Sequence, residues 1–180
     1  MKQSNLPQPS SLGAGWKTYA DPGGAEDGFQ GNDTWTRRRD AHQAAFEALP
    51  VGCAQPLPDS ALPVPQYALQ GAYRNPRGAP ATVLVLRFAQ PGQASAYFQG
   101  YGERMRACGR NTQGLSVEPL WSDPAAAGAI RRYAGEESFV EVAVLRGSSV
   151  ALLANTAGDA RSDETWSREV AGKLASVVDR

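Results

Sequence analysis

The side chains that could carry nucleophilic catalysis are few and are not arranged for it. The 180-residue chain has a single histidine, His42, in the first turn of a predicted helix. It has no Gly-x-Ser-x-Gly motif, and no arrangement of serine or cysteine with a histidine and an acid can be read from it. We therefore expect His42 to be a surface or capping residue, and we expect no catalytic residues and no enzymatic activity.

Acidic residues occur in two adjacent pairs, Glu26–Asp27 and Glu136–Glu137. Neighbouring acids on a loop point apart, whereas glycoside hydrolysis requires two carboxyl groups that face one bond. A hydrolase that uses carboxylates alone is accordingly a minor alternative.

The sequence also argues against a metal site. The acidic segment 21–33 lacks the spacing of an EF-hand calcium loop, and two cysteines with one histidine are too few for a zinc site. No phosphate-binding or dinucleotide-binding glycine motif follows a strand, so we expect no metal and no cofactor.

The charge of the chain argues against nucleic acid as the main partner. Its 18 basic and 18 acidic residues cancel, and binding to a phosphate backbone needs a basic footprint. The basic run 37–39 is predicted to be a solvated segment rather than an anion site. No window approaches the roughly 20 apolar residues of a membrane-spanning helix. We expect a monomer without a membrane-spanning segment in this chain.

The two cysteines, Cys53 and Cys108, suit a disulfide better than a metal site. Both are predicted to lie at element ends beside a glycine. A bridge between them would close a loop of about 55 residues and stabilise the fold by roughly 4 kcal/mol in the chain-entropy model. Two buried free thiols in a cytosolic protein are the alternative that remains open.

Aromatic residues are dense in segment 1–36, which is rich in turn-forming residues and has no sustained periodicity. Trp16, Tyr19 and Trp35 could stack on a ligand if this segment lines a site. We favour packing across the domain, because a true linker rarely carries aromatic residues at this density. The chain is thus divided into an irregular Trp/Gly-rich segment, 1–36, and a single domain over 37–180.

The elements that must position these residues centre on 81–108. The near-continuous apolar run 83–88 predicts a strand that is covered on both faces. Pro91 suits the first turn of a helix, and Gly109 ends it. Gly100 and Gly102 inside this helix weaken it by up to about 1 kcal/mol each, so tertiary packing must hold it. Its apolar positions recur every three or four residues: Ala94, Tyr97, Phe98, Tyr101, Met105 and Cys108.

The remaining elements are predicted mostly as hairpins, with a loop or helical turn over 122–128. Asp40 is predicted to cap a short helix over 41–49, and Ser162 is predicted to cap a long one. Further strands are predicted over 67–73, 115–121, 129–134, 139–145 and 150–154. This order predicts an α+β fold: an antiparallel sheet with two long helices packed on one face, plus a short N-terminal helix.

Several short motifs, taken in order, resemble a known family. They are Gly-Cys at 52–53, Val-Leu-Val-Leu-Arg-Phe at 83–88, Gln-Ala-Ser-Ala-Tyr-Phe at 93–98, Arg-Ala-Cys-Gly at 106–109, Ser-Ser-Val-Ala-Leu-Leu-Ala at 148–154 and Glu-Val-Ala-Gly-Lys-Leu-Ala at 169–175. From about residue 50 to 178 the chain resembles the extracytoplasmic sensor domains of actinobacterial serine/threonine kinases of the PknH type and of related lipoproteins. The resemblance implies an α+β domain with a cleft that binds a ligand outside the cell membrane.

We therefore expect an extracytoplasmic ligand-binding or sensor-like domain of a cell-envelope protein, anchored to the cell membrane in the full-length protein. Its partner would be an unidentified small molecule or an envelope component. The polar start MKQSNLPQPSS has no apolar signal core, and the expectation is that a signal or anchor precedes it. The alternative is a structural or interaction module of a lipoprotein, which would use a sheet face that the helices leave uncovered.

Overall fold

The computed structural model describes residues 1–21, 34–50, 62–109, 114–135 and 137–178. The helices are α1 (Pro9–Leu12), α2 (Ala41–Glu47), α3 (Pro91–Ala107) and α4 (Ala160–Val177), preceded by a 3-10 helix at Gln3–Asn5. The strands are β1 (Lys17–Thr18), β2 (Thr36–Arg39), β3 (Tyr67–Arg74), β4 (Pro80–Arg87), β5 (Leu115–Asp123), β6 (Ala126–Tyr133), β7 (Ser138–Arg146) and β8 (Ser149–Thr156). None of the described helices has the length and apolar character needed to cross a membrane.

The strands form one antiparallel sheet in the order β1-β3-β4-β8-β7-β6-β5. On the outer edge of β3, β1 pairs with residues 73–74 and β2 pairs with residues 68–71. The hairpin β3–β4 and the meander β5–β8 are joined through β4 and β8, which pair from Ala81↔Asn155 to Arg87↔Ser149. The α+β class and the antiparallel sheet predicted from the sequence are therefore confirmed.

The two long helices pack on the sheet as predicted, but they lie on opposite faces and not on one face. Val83 and Val85 of β4 belong to one hydrophobic cluster with Leu174 of α4. Leu86 of β4 belongs to a second cluster with Tyr97 of α3. Because successive side chains of a strand point to opposite faces, the apolar run in β4 needs a cover on each side. The prediction that this strand is covered on both faces is confirmed. The prediction that both long helices lie on one face of the sheet is wrong.

The described part of the N-terminal segment packs on the face that α4 covers. Leu6 and Leu12 are buried in the same cluster as α4. The Tyr73 hydroxyl donates to the Pro7 carbonyl at 2.9 Å, and the Trp166 indole N–H donates to the Leu12 carbonyl at 2.8 Å. These buried or half-buried contacts hold the segment across α4 and β3. The division of the chain at residue 36 stays a prediction.

Capping and turn residues predicted the ends of most helices and strands correctly. Two of the predictions were wrong. The Asp40 side chain accepts from the Gln43 amide at 2.8 Å and caps α2 as predicted. The cap of α4 is Asp159, which accepts from the Ser162 amide at 3.2 Å, so Ser162 is not the cap. Both residue types are favoured caps, and the helix begins at the earlier one. The loop predicted over 122–128 is a tight β5–β6 hairpin, because pairing with β7 outweighs the weak strand propensity of its alanines.

The opposite-face arrangement can be tested with one large-to-small substitution on each helix. Leu174→Ala and Met105→Ala should each lower the free energy of unfolding by about 2–5 kcal/mol, since both side chains are buried. In the double variant the losses should add to within about 0.5 kcal/mol, because the two side chains belong to different hydrophobic clusters. Urea denaturation measures all three variants. The exposed control Lys173→Ala should change stability by less than about 0.5 kcal/mol, and strong coupling between 105 and 174 would place both helices in one core.

Candidate ligand-binding cleft

A cleft of about 480 Å³ lies between α3 and strands β5–β7. Its volume falls within the roughly 300–1,000 Å³ of small-molecule sites. The inner wall is apolar and buried, and its residues are Tyr101, Met105, Val117, Ala129 and Ala143. The rim is exposed and mainly polar, and it contains Gln99, Glu103, Arg106, Ser122 and Asp123. An apolar interior with a polar rim suits a ligand that has an apolar body.

Small side chains on neighbouring strands create the space. Ala127 of β6 lies opposite Ala143 of β7, and Ala129 lies opposite Glu141. These positions share the face of the sheet that α3 covers, because strand side chains alternate between faces. Alanine methyl groups fill little of the gap between a sheet and a helix, so the space beside α3 stays open.

Gly100 and Gly102, in the middle of α3, have separate roles. A Cβ on Gly100 would lie 2.2 Å from Cδ2 of Leu62, so glycine permits close packing of that segment against the helix. Gly102 lines the cleft, where a Cβ would have only Nη1 of Arg106, at 3.4 Å, within reach. The glycines that weaken α3 locally thus allow packing on one side of the helix and widen the cleft on the other.

A buried ion pair lies at the inner end of the cleft. Oε2 of Glu141 accepts from Nη2 of Arg131 at 2.8 Å and from the Tyr101 hydroxyl at 2.9 Å. The Arg131 and Glu141 side chains are only 8% and 12% exposed. Arg131 also donates to the Ala48 carbonyl at 3.3 Å and to the Tyr133 hydroxyl at 3.2 Å. The pair therefore links β6 and β7 to α3 and to the end of α2.

The protonation states at this end follow from burial and the ion pair. Burial raises the pKa of Glu141 above its usual value, and the Arg131 guanidinium and the two hydrogen bonds offset only part of that rise. Burial alone would lower the pKa of Arg131, but the Glu141 carboxylate brings it above its usual value. Burial and the neighbouring Glu141 raise the pKa of Tyr101 well above its usual range. Nη2 of Arg131 lies 2.8 Å from Oε2 of Glu141, so the inner end of the cleft holds an ion pair of zero net charge beside a phenol that is neutral near neutral pH.

One carboxylate oxygen of Glu141, Oε1, can bind a molecule in the cleft. Both of the hydrogen bonds to this carboxylate end at Oε2, and in the part of the chain that the structure describes none reaches Oε1. Glu141 is among the residues that line the cleft. An ionised carboxylate has about four lone-pair sites for hydrogen bonds. Glu141 can therefore accept a further hydrogen bond from a molecule in the cleft.

The structure does not bring the three predicted ligand-facing aromatic residues to this cleft. Trp16 stacks on Trp166, with ring centroids 5.6 Å apart and an angle of 4° between the planes. Trp35 packs against the core that α4 covers. The Tyr19 ring lies against the Arg74 guanidinium, with 3.9 Å between the ring centroid and Cζ of Arg74. A ligand role for Trp16, Tyr19 and Trp35 stays a prediction.

The predicted disulfide joins one described residue to one outside the described ranges. Cys108 is the C-cap of α3 and is fully buried in the core on that face of the sheet. Cys53 lies outside the described residues, as do the acidic positions 26, 27 and 136. The bridge therefore stays a prediction. His42 is exposed in the first turn of α2, as the sequence indicated.

Sequence reasoning missed Glu141 and Arg131 as site residues, although the sequence contains a signal for the first. In the predicted strand 139–145, the valines at even positions share one face, so Glu141 must point to the other. A charged side chain in a sheet that is covered on both faces has to be paired. Finding the partner requires the register between β6 and β7, where Arg131 lies opposite Phe139 and diagonal to Glu141.

Comparison with known proteins supports the fold. No family model and no curated protein matches the chain. Among solved structures, the chain is similar to the extracellular domain of PknH from Mycobacterium tuberculosis, with a TM-score of 0.52 and 10% sequence identity. The match covers 98% of this chain and 93% of that one. The predicted resemblance to this type of sensor domain is thus confirmed at the level of the fold.

The buried ion pair can be tested against an exposed pair at the next position. Arg131→Met should lower the free energy of unfolding by about 3–5 kcal/mol, because it leaves the Glu141 carboxylate buried without its cation. Arg132→Met removes the exposed 3.1 Å pair with Glu118 and should cost no more than about 1 kcal/mol. Guanidinium chloride unfolding measures both variants.

A second variant separates charge burial from lost packing at position 131. Arg131→Met combined with Glu141→Met should regain most of the stability lost in Arg131→Met, because an apolar replacement of a buried ion pair is often neutral. Equal losses for Arg131→Met and Arg132→Met would contradict the assignment of the buried pair.

Proposed function

We propose that this chain is an extracytoplasmic, ligand-binding, sensor-like domain of a cell-envelope protein. Its ligand site is the cleft between α3 and strands β5–β7. The observation that carries the proposal is the cleft itself, with about 480 Å³ of space, an apolar interior, a polar rim and a buried ion pair at its inner end. These are the features of a small-molecule site.

The geometry of the sheet favours small-molecule binding over the interaction-module alternative. That alternative needs a sheet face that the helices leave uncovered. With α3 and α4 on opposite faces, the part of the α3 face that stays open is a concave pocket. A flat apolar patch would be expected of a protein-docking surface.

The carboxylates of the cleft favour binding without chemistry. Glu141 is fixed by the ion pair with Arg131 and by the Tyr101 hydroxyl, and hydrolysis by carboxylates alone needs a second carboxyl group that faces the same bond. The other acids of the cleft, Glu103 and Asp123, lie on the exposed rim. A non-enzymatic binding domain is the function that this arrangement supports best.

The fold supports a location outside the cell membrane, since the similar structure is the extracellular domain of PknH. In the proposal the full-length protein is anchored to the cell membrane, and the domain acts as a monomer. Binding in the cleft would bias the position of α3, because Tyr101 and Met105 belong both to the cleft and to the core. Occupancy could then be passed to the remainder of the protein through that helix.

The ligand site can be tested with N-phenyl-1-naphthylamine, a neutral apolar dye whose fluorescence rises in apolar surroundings. It should bind the folded protein at a single saturable site. Ala127→Leu places a larger side chain in the cleft and should weaken binding at least about tenfold. Ala96→Leu, at an exposed position of α3 outside the cleft, should leave binding unchanged. Fluorescence titration gives the three dissociation constants, and equal values for wild type and Ala127→Leu would refute the site.

The proposed location outside the cell membrane is tested through the proposed disulfide between Cys53 and Cys108, because disulfides persist in oxidising compartments. In oxidising buffer, Cys108→Ser should lower the free energy of unfolding by roughly 2–4 kcal/mol. Cys53→Ser and wild type in reductant should show a similar loss, since each removes the same link. Mass analysis of the native chain should show it two hydrogens lighter than the reduced chain. A native mass equal to the reduced mass would rule out the bridge.

A further inference from the structure

The inner end of the cleft presents a hydrogen-bond acceptor to which no described residue donates. Both bonds to the Glu141 carboxylate reach Oε2, and within the described residues Oε1 receives none. The side chain is only 12% exposed, and that exposure adjoins the cleft that Glu141 lines. Oε1 is not among the fully buried side-chain atoms that lack a partner, so water in the open cleft can donate to it. A donor on a bound molecule would replace that water.

The partner of Glu141 limits the charge that such a molecule can carry. Nη2 of Arg131 lies 2.8 Å from Oε2, so the pair has no net charge. A cationic ligand would lose its hydration and bring a second positive charge towards Arg131. An anionic ligand would meet the Glu141 carboxylate first. Both cases bury a charge without full compensation, whereas a neutral donor avoids this cost.

The other surfaces of the cleft fix the character of the rest of the molecule. Ala129 and Ala143 of the sheet, Val117 of β5 and Met105 of α3 are buried and apolar. Their side chains offer no hydrogen bond apart from the weak acceptor Sδ of Met105, which already contacts Nη2 of Arg131 at 3.8 Å. The body of the ligand must therefore be apolar, and polar groups would lie only at its Glu141 end or at the exposed rim.

We propose that the cleft selects an uncharged, largely apolar molecule that carries a neutral hydrogen-bond donor. A hydroxyl group is the simplest such donor. This inference rests on the proposed role of the cleft as a ligand site. The donor binds Oε1 of Glu141. Tyr101 and Arg131 hold the carboxylate in place, and the apolar walls hold the body of the ligand. Glu141 is in this arrangement the residue that determines specificity.

Four compounds with one apolar body separate the alternatives. They are 2-naphthol (neutral donor), 2-methoxynaphthalene (neutral, no donor), 2-naphthoic acid (anion) and 2-naphthylmethylamine (cation). Titration calorimetry with the full chain at neutral pH gives their dissociation constants. We expect 2-naphthol to bind at least about tenfold more tightly than the methoxy compound, as a hydrogen bond to a charged acceptor predicts. We also expect both ionised compounds to bind more weakly than 2-naphthol.

Glu141→Gln supplies the direct test of the residue. The amide can still accept from Tyr101 and Arg131, but it turns an NH₂ group toward the cleft in place of Oε1. The preference should then reverse, with 2-methoxynaphthalene bound as tightly as 2-naphthol or more tightly. If Glu141→Gln fails to fold by circular dichroism, Arg131→Met combined with Glu141→Gln removes the uncompensated cation and allows the same comparison.

The outcomes separate this inference from the proposed function. Binding that Ala127→Leu abolishes, without a preference for 2-naphthol, overturns the donor inference and leaves the ligand site standing. Tightest binding of the acid or the amine does the same. A preference for 2-naphthol that persists in the glutamine variant assigns the donor contact to another residue and overturns the inference. If none of the four compounds shows binding that Ala127→Leu weakens, both proposals fail.

Discussion

Burial of the central strands on both faces is the constraint on which this structure depends. All positions of β8 from Ser149 to Leu153 are buried, and β4 carries apolar side chains toward both sides. A sheet with such strands cannot expose either face to water, because the free energy of burying apolar surface would be lost there. Two separate covers are therefore required. α4 and the N-terminal segment form one, and α3 and α2 form the other.

The two covers are unequal, and the candidate site lies where one is incomplete. α3 leaves the sheet after β4, near the centre, and returns the chain to β5 at the far edge. It packs fully near Tyr97 but less so beside the alanines of β6 and β7, where the cleft opens. At the inner end of that opening, Glu141 and Arg131 are largely removed from water and bind each other. Glu141 also accepts a hydrogen bond from Tyr101. The element that completes the core is thus also the wall of the site.

Much of this architecture is legible from local patterns. Pro91 marks the start of α3, Asp40 caps α2, and alternation in 67–73 predicts β3. Errors occur where a decision is non-local. The stretch 122–128 contains poor strand formers but becomes a hairpin because β7 pairs with it. Periodicity shows that a helix has an apolar face, and it does not show which face of the sheet receives it.

By itself, the sequence determined the α+β class, the order of the hairpins, the two-sided burial of β4 and a resemblance to PknH-type sensor domains. Only the tertiary structure decided that the helices lie on opposite faces, that alanines leave a cleft, and that Glu141 meets its partners there. Those partners, Arg131 and Tyr101, are 10 and 40 residues away in the chain. Their meeting depends on strand register and on the path of α3, which are set by packing between distant segments and by no local propensity.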